Sequence, residues 1–200
     1  MAAVSLKSVR IVLWTLVVVV AIGATALFVL APPKNPQTAS IGGGTYSLVD
    51  HRGQAVDQTM LVGHPSVLFF GFTHCPDVCP TTMGEMAAWY QALGDEAKDL
   101  RGYFVSIDPE RDTPAAMESY AAWVSPKMTG ITGTPEEIAK IAKAWGIVAE
   151  KVPGKDGEYT MNHTASVLLV DRNGQYFATI AYQEDQDTAL AKIRRLIDER

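Results

Sequence analysis

The sequence is short of positive charge, and that absence removes one class of partner at once. Its 17 Lys and Arg face 22 Asp and Glu, a net charge of −5. Nucleic acid is excluded, because no basic surplus exists to displace counterions from phosphates. No internal repeat is found, and no low-complexity tract beyond one Pro- and Gly-rich stretch. No long Arg- and Ser-rich presequence opens the chain, which points to a bacterial rather than a mitochondrial origin. Charge is missing altogether from residues 11–31, a run of 21 positions. A freely soluble cytosolic protein is therefore excluded, and the 200-residue length leaves room for one folded domain beside that run.

As a helix, residues 11–31 would extend roughly 32 Å, close to the roughly 30 Å hydrocarbon thickness of a bilayer. Lys7 and Arg10 precede the run and only Lys34 follows soon after. The positive-inside bias then leaves the N-terminus in the cytoplasm and the remainder in the periplasm. The alternative is a cleaved signal peptide ending near Ala24-Thr25-Ala26, for which the apolar run is long. Pro32, Pro33, Pro36 and Gly42-Gly43-Gly44 mark a linker with too little apolar content to pack. The expected organisation is a cytoplasmic segment at 1–10, a transmembrane anchor at 11–31, a linker at 32–44 and a folded domain at 45–200. Such a protein is single-pass in the bacterial inner membrane.

Within the domain, apolar runs alternate with helical patterns, the signature of an α/β sheet. A hairpin turns at Asp50-His51-Arg52-Gly53, and Ser66-Val67-Leu68-Phe69-Phe70-Gly71-Phe72 reads as a buried strand. A helix is predicted over 81–93 with Met83, Met86, Ala87 and Tyr90 on one stripe, then a strand over 103–107. Thr113-Pro114 and Thr134-Pro135 open two further helices, the second with Glu137 closing a capping box. A polar insertion over 151–159 precedes a strand over 165–170, which turns at Asn173-Gly174 into a strand over 176–182 and a last helix over 187–199. That order is thioredoxin-like, with an N-terminal hairpin and an insertion before the late strand.

The two cysteines stand together in Cys75-Pro76-Asp77-Val78-Cys79, between the first core strand and its helix. Reactive groups gather at the carboxyl ends of strands, and a helix N-terminus favours thiolate over thiol, above all for Cys79. A structural disulfide is the plain alternative, yet closing so short a loop contributes only about 2 kcal/mol. The sulfurs can either bond to each other or converge on one soft cation, and a third ligand decides between them.

Of the four histidines, His51 lies in the hairpin turn and His64 precedes Pro65, positions typical of solvated loops. His74 adjoins Cys75, but neighbouring side chains of an extended segment point apart. His163 stands where the insertion meets the late strand, beside the cysteine loop in a thioredoxin-like sheet. Two thiolates and an imidazole suit copper better than calcium, magnesium or manganese. Zinc remains open if water or Asp77 adds a fourth ligand, and Met161 offers either a thioether or simple packing. Asp77 is read as tuning the thiols, meeting a partner or capping the helix. The segment 108–112 is read as a helix entry with solvated charges.

Gly71-Phe72-Thr73-His74-Cys75-Pro76-Asp77-Val78-Cys79-Pro80 resembles the signature of the Sco/SenC family of membrane-anchored copper proteins. So do Val105-Ser106-Ile107-Asp108-Pro109-Glu110-Arg111-Asp112-Thr113-Pro114, Thr129-Gly130-Ile131-Thr132-Gly133-Thr134 and Asn162-His163-Thr164. The resemblance implies that Cys75, Cys79 and His163 bind one copper, Cu(I) or Cu(II). It implies a metallochaperone that matures the dinuclear copper centre of cytochrome c oxidase, its partners being the copper-bearing oxidase subunit and a periplasmic copper donor. It also implies a second chemistry, in which Cys75 and Cys79 act as a redox pair reducing the acceptor's cysteines. Nothing in the sequence separates delivery from reduction.

A conventional thioredoxin-like oxidoreductase would show two residues between its cysteines and a proline near Thr164; this chain has three and none. A peroxiredoxin would carry threonine where Phe72 stands. A module that merely stores or senses copper would use the same ligands, and only transfer to an acceptor distinguishes it.

Overall fold

The structure, a computed structural model, describes Lys7, Arg10, residues 13–20, Gly23 and residues 41–199 except Asp156. The chain divides into two compact units, Met1–Thr38 and Ala39–Arg200. In the first, residues 13–20 are helical, with exposed apolar side chains such as Leu13, Trp14 and Leu16. Among the described residues no helix is long and apolar enough to cross a membrane. Of the expected anchor at 11–31 only residues 13–20 and Gly23 are described; the rest of it, like most of the expected 1–10 segment and linker, lies outside the described residues.

The second unit runs β1 (Ser47–Asp50), β2 (Ala55–Asp57), β3 (Ser66–Gly71), α1 (Val78–Leu93), β4 (Arg101–Ser106), α2 (Pro114–Ala122), β5 (Met128–Thr132) and α3 (Pro135–Ala144). It continues through β6 (Ala149–Pro153), β7 (Tyr159–His163), β8 (Val167–Val170), β9 (Tyr176–Ile180) and α4 (Gln186–Asp198). Seven strands form one sheet in the order β2-β1-β5-β4-β3-β8-β9, while β6 and β7 pair only with each other. β3, β4 and β5 are parallel, and β8 runs antiparallel to β3 with Phe69 opposite Val167.

The connections β3-α1-β4 and β4-α2-β5 step the same way across the sheet, so right-handed crossovers place both helices over one face. The packing agrees. Phe104 of β4 stacks on Tyr120 of α2 at 5.0 Å, and a methyl at Gly102, two residues back on the same face, would meet Tyr90 of α1. Tyr103, on the opposite face, donates its hydroxyl to the Met60 carbonyl at 2.6 Å. All six residues of β3 are buried, as its uninterrupted apolar run requires of a central strand.

Five sequence expectations change. The α1 helix begins at Val78, three residues early, so Cys79 lies inside its first turn, and Trp89 joins the buried stripe. The segment before α3 is a fifth sheet strand, and most of the supposed loop insertion is the β6–β7 hairpin. Thr134 caps α3 by accepting from Glu137 N, but the Glu137 carboxylate binds Ser47 N at 2.7 Å and Lys140, so no capping box closes. Finally, Gly42 packs against the Trp145 ring and donates to the Ala144 carbonyl at 2.8 Å, joining the end of the linker to the domain.

Candidate metal centre

Topology brings the site together. β3 and β4 are parallel and end at the same edge, so the loops that follow them, with Thr73–Cys75 in one and Asp108–Asp112 in the other, lie side by side. Because β8 is antiparallel to β3, its first residue also lies at that edge, and the preceding residues His163 and Thr164 arrive beside the cysteines. Cys75, Cys79 and His163 place one ligand atom each within 4.8 Å of one another, a grouping that can hold a metal ion. Both sulfurs are free thiols. Cys79 Sγ is 3.4 Å from His163 Nε2.

The imidazole is presented in one sense. His163 Nδ1 is 2.9 Å from the Thr164 carbonyl, which can only accept, so Nδ1 carries the proton and Nε2 turns a lone pair toward Cys79. Burial lowers the His163 pKa below the ordinary imidazole value, which keeps the ring neutral and able to ligate. The rings of Phe69 and Phe72 lie at 6.2 and 5.9 Å from it, both edge to face, and fix its plane.

The two thiols differ in a way that the helix-terminus argument did not foresee. Cys79 is fully buried and its thiol pKa is raised far above the usual range, chiefly because burial strips solvent from the thiolate. Cys75 is half-buried, and its sulfur accepts the Cys79 N–H at 3.3 Å. An N–H of the first helical turn is thus directed at the Cys75 sulfur. The two cysteines offer one partly accessible and one protected sulfur.

The other sequence candidates fall outside the ligand group. His74 is exposed, with Nδ1 3.1 Å from Thr73 Oγ1 and 3.8 Å from Asp112 Oδ1. His51 Nδ1 accepts from Gly130 N at 3.1 Å, and His64 Nδ1 lies 3.2 Å from Ser66 Oγ. Asp77 occupies the cap position of α1 but makes no side-chain cap bond. A cleft of about 240 Å³ opens over the site between Cys75, Asp77, Met161 and His163. Met161 also packs against the core.

Three supporting features go beyond the sequence reading, which takes 108–112 for solvated charges. Gly71 stands where a methyl would lie 2.8 Å from Cys79 Sγ and 2.9 Å from Phe104, so the backbone approaches the sulfur as only glycine allows. Asp108 and Asp112 are buried rather than solvated. Asp112 accepts from Thr73 N, from Thr73 Oγ1 at 2.6 Å and from Ser106 Oγ at 2.7 Å, and so clamps the peptide that leads into Cys75. Arg111 and Tyr159 bind each other across 48 residues of sequence. The signal available for these was two aspartates flanking an arginine directly after a core strand.

The SCO1/SenC family model matches residues 34–198. The chain is 32% identical over 174 residues to an SCO2-like protein of Rickettsia conorii, covering 80% of this chain and 85% of that protein. It is 36% identical over 137 residues to the mitochondrial SCO1 homolog of Homo sapiens, covering 67% of this chain and 46% of that one. Among solved structures, Bradyrhizobium japonicum ScoI with copper bound superposes with a TM-score of 0.71 at 43% identity, over 77% of this chain and 98% of that one. With the family match running through every element of the second unit, this chain belongs to the SCO1/SenC family.

Proposed function

We propose that this protein is a copper chaperone that binds one copper ion through Cys75, Cys79 and His163. The observation that carries the reading is the convergence of two sulfurs and a neutral imidazole Nε2 within 4.8 Å. This small, soft ligand set suits copper in either common oxidation state, and a relative at 43% identity is known with copper bound. The cargo passes to the copper-bearing subunit of cytochrome c oxidase, where it builds the dinuclear copper centre, and a periplasmic copper chaperone supplies it. Residues 11–31 tether the folded domain at 45–200 to the bacterial inner membrane, with the site in the periplasm.

A second chemistry is supported by the asymmetry of the thiols. The Cys75 thiolate, half-exposed and hydrogen-bonded, attacks an acceptor disulfide and releases one acceptor thiolate. Cys79 then attacks the Cys75 sulfur, its thiol proton passing to the second acceptor sulfur as that leaves, and a Cys75–Cys79 disulfide remains. Two electrons thereby move to the acceptor.

The deciding experiment mixes the full chain, copper-loaded or metal-free and reduced, with the metal-binding domain of the oxidase subunit, its cysteines presented as dithiol or as disulfide. Delivery predicts copper in the dithiol acceptor in the presence of a competing chelator. Reduction predicts acceptor thiols generated by the metal-free protein. Copper that stays on the chain, with no thiols formed, rejects both.

A further inference from the structure

The third ligand is carried by a part of the molecule that the main sheet does not hold. β6 and β7 pair only with each other, and a lone two-stranded hairpin is marginally stable in water. Ala149 and Met161 pack against the core, and the hairpin's polar attachment converges on Tyr159, the first residue of β7. Arg111 Nη1 donates to the Tyr159 carbonyl at 3.1 Å, and the Tyr159 hydroxyl donates to Asp108 Oδ1 at 2.8 Å. The Arg111 guanidinium lies 3.8 Å from the centre of the Tyr159 ring, and Lys151 Nζ lies 3.9 Å from it. Lys151, on β6, also reaches Glu110 at 2.7 Å. Arg111 is held in turn by Asp108 and extends to 5.8 Å from the Phe72 ring, which faces His163.

Asp108, Glu110 and Arg111 belong to the same loop as Asp112, whose carboxylate clamps Thr73 two residues before Cys75. One five-residue loop therefore grips the strand that ends in His163 and the peptide that carries the thiols. We propose that Arg111 and Tyr159 are positioning residues for His163, latching the β6–β7 hairpin to the 108–112 loop so that the imidazole is held at the two sulfurs. The proposal rests on the reading of His163 as the third copper ligand. A hairpin that samples detached positions offers Nε2 only part of the time, and apparent affinity falls by the fraction of time it is engaged.

The test uses the full chain with Tyr159→Leu, which removes both the ring stack and the hydroxyl, and Tyr159→Phe, which removes the hydroxyl alone. Amide hydrogen exchange of the metal-free protein reads the hairpin directly. Copper competition and nitrogen coupling in the Cu(II) resonance spectrum read the imidazole. The expected result is faster exchange confined to β6 and β7 in Tyr159→Leu, with copper binding weakened about 10- to 100-fold, in the range seen when partners that orient a ligand are lost. Nitrogen coupling is diminished in the same variant, and Tyr159→Phe falls between it and wild type. Unchanged hairpin exchange in Tyr159→Leu overturns the latch, as does exchange raised equally in β3 and β4, which marks a general structural role. Unchanged copper binding in Tyr159→Leu overturns it too, provided His163→Ala does weaken binding. If His163→Ala leaves copper binding intact, the ligand reading fails by itself, and exchange in the metal-free hairpin still decides whether Tyr159 holds it.

Discussion

A single methyl added at Gly71 tests how closely the β3 backbone is fitted to the Cys79 sulfur. In Gly71→Ala the new carbon would lie 2.8 Å from Cys79 Sγ and 2.9 Å from Cε2 of Phe104. Ordinary contact begins near 3.5 Å, so one or both neighbours must retreat by about 0.7 Å. Neither is free to do so: Phe104 is stacked between Phe69 and Tyr120, and Cys79 is fully buried in the first turn of α1. Overpacking of this kind costs about 1–3 kcal/mol in stability. The effect on metal is sharper, because metal–ligand distances tolerate only about 0.2 Å of displacement. We expect copper affinity to drop at least about tenfold, equivalent to about 1.4 kcal/mol. Urea unfolding of the metal-free chain measures the first effect, and anaerobic competition against a chromophoric Cu(I) chelator the second. Stability lowered with copper affinity untouched would show that the Cys79 sulfur is not held at the metal by this approach, and the argument for Gly71 would fail.

Alkylation of the reduced, metal-free protein should modify Cys75 at least about tenfold faster than Cys79, since Cys75 is only half-buried whereas Cys79 is fully buried and its thiol is held protonated by that burial; peptide mapping that finds equal labelling would remove the asymmetry. Asp112→Asn should destabilise the chain by about 1.5–3 kcal/mol, the range for hydrogen bonds to a charged group, and weaken copper binding by loosening Thr73. An unfolding midpoint equal to wild type would contradict the clamp. Burial holds His64 below the ordinary imidazole pKa, so as pH falls through about 6.5 the unfolded chain takes up a proton that the folded one refuses. Stability present above that pH is therefore lost on acidification, and His64→Gln should lose less between pH 7 and pH 5; identical slopes in urea titrations would reject the assignment.

What the sequence showed and what it concealed divide along physical lines. The Thr113-Pro114 and Thr134-Pro135 helix starts and the β3 run are local patterns that lie where expected, and the cysteine motif follows β3 as expected although Cys79 falls inside α1. β5 went unread because Met128-Thr129-Gly130-Ile131-Thr132 has no alternation, and its glycine is explained only by Met117 of α2, whose backbone would meet a methyl there at 2.8 Å. In the β6–β7 hairpin only β7 shows a period of two, with Tyr159, Met161 and His163 half-buried, while β6 is almost wholly exposed, so the segment resembles a polar loop. Asp108 and Asp112 look like surface charges in the sequence because their partners, Tyr159, Thr73 and Ser106, come from other segments of the chain. Likewise, a helix N-terminus near Cys79 was visible in the sequence, but the burial that dominates its acidity was not.

The central claim is a copper site of two sulfurs and one nitrogen. The measurement that reaches it most directly is an anaerobic copper titration of the full chain and of His163→Ala, with X-ray absorption of the loaded protein to count sulfur and nitrogen neighbours. The account predicts one copper per chain with two sulfurs and one nitrogen at the metal, and a marked loss of affinity in His163→Ala with both thiols still able to form a disulfide. Equal affinity in the two proteins, or a metal environment without nitrogen, would contradict it.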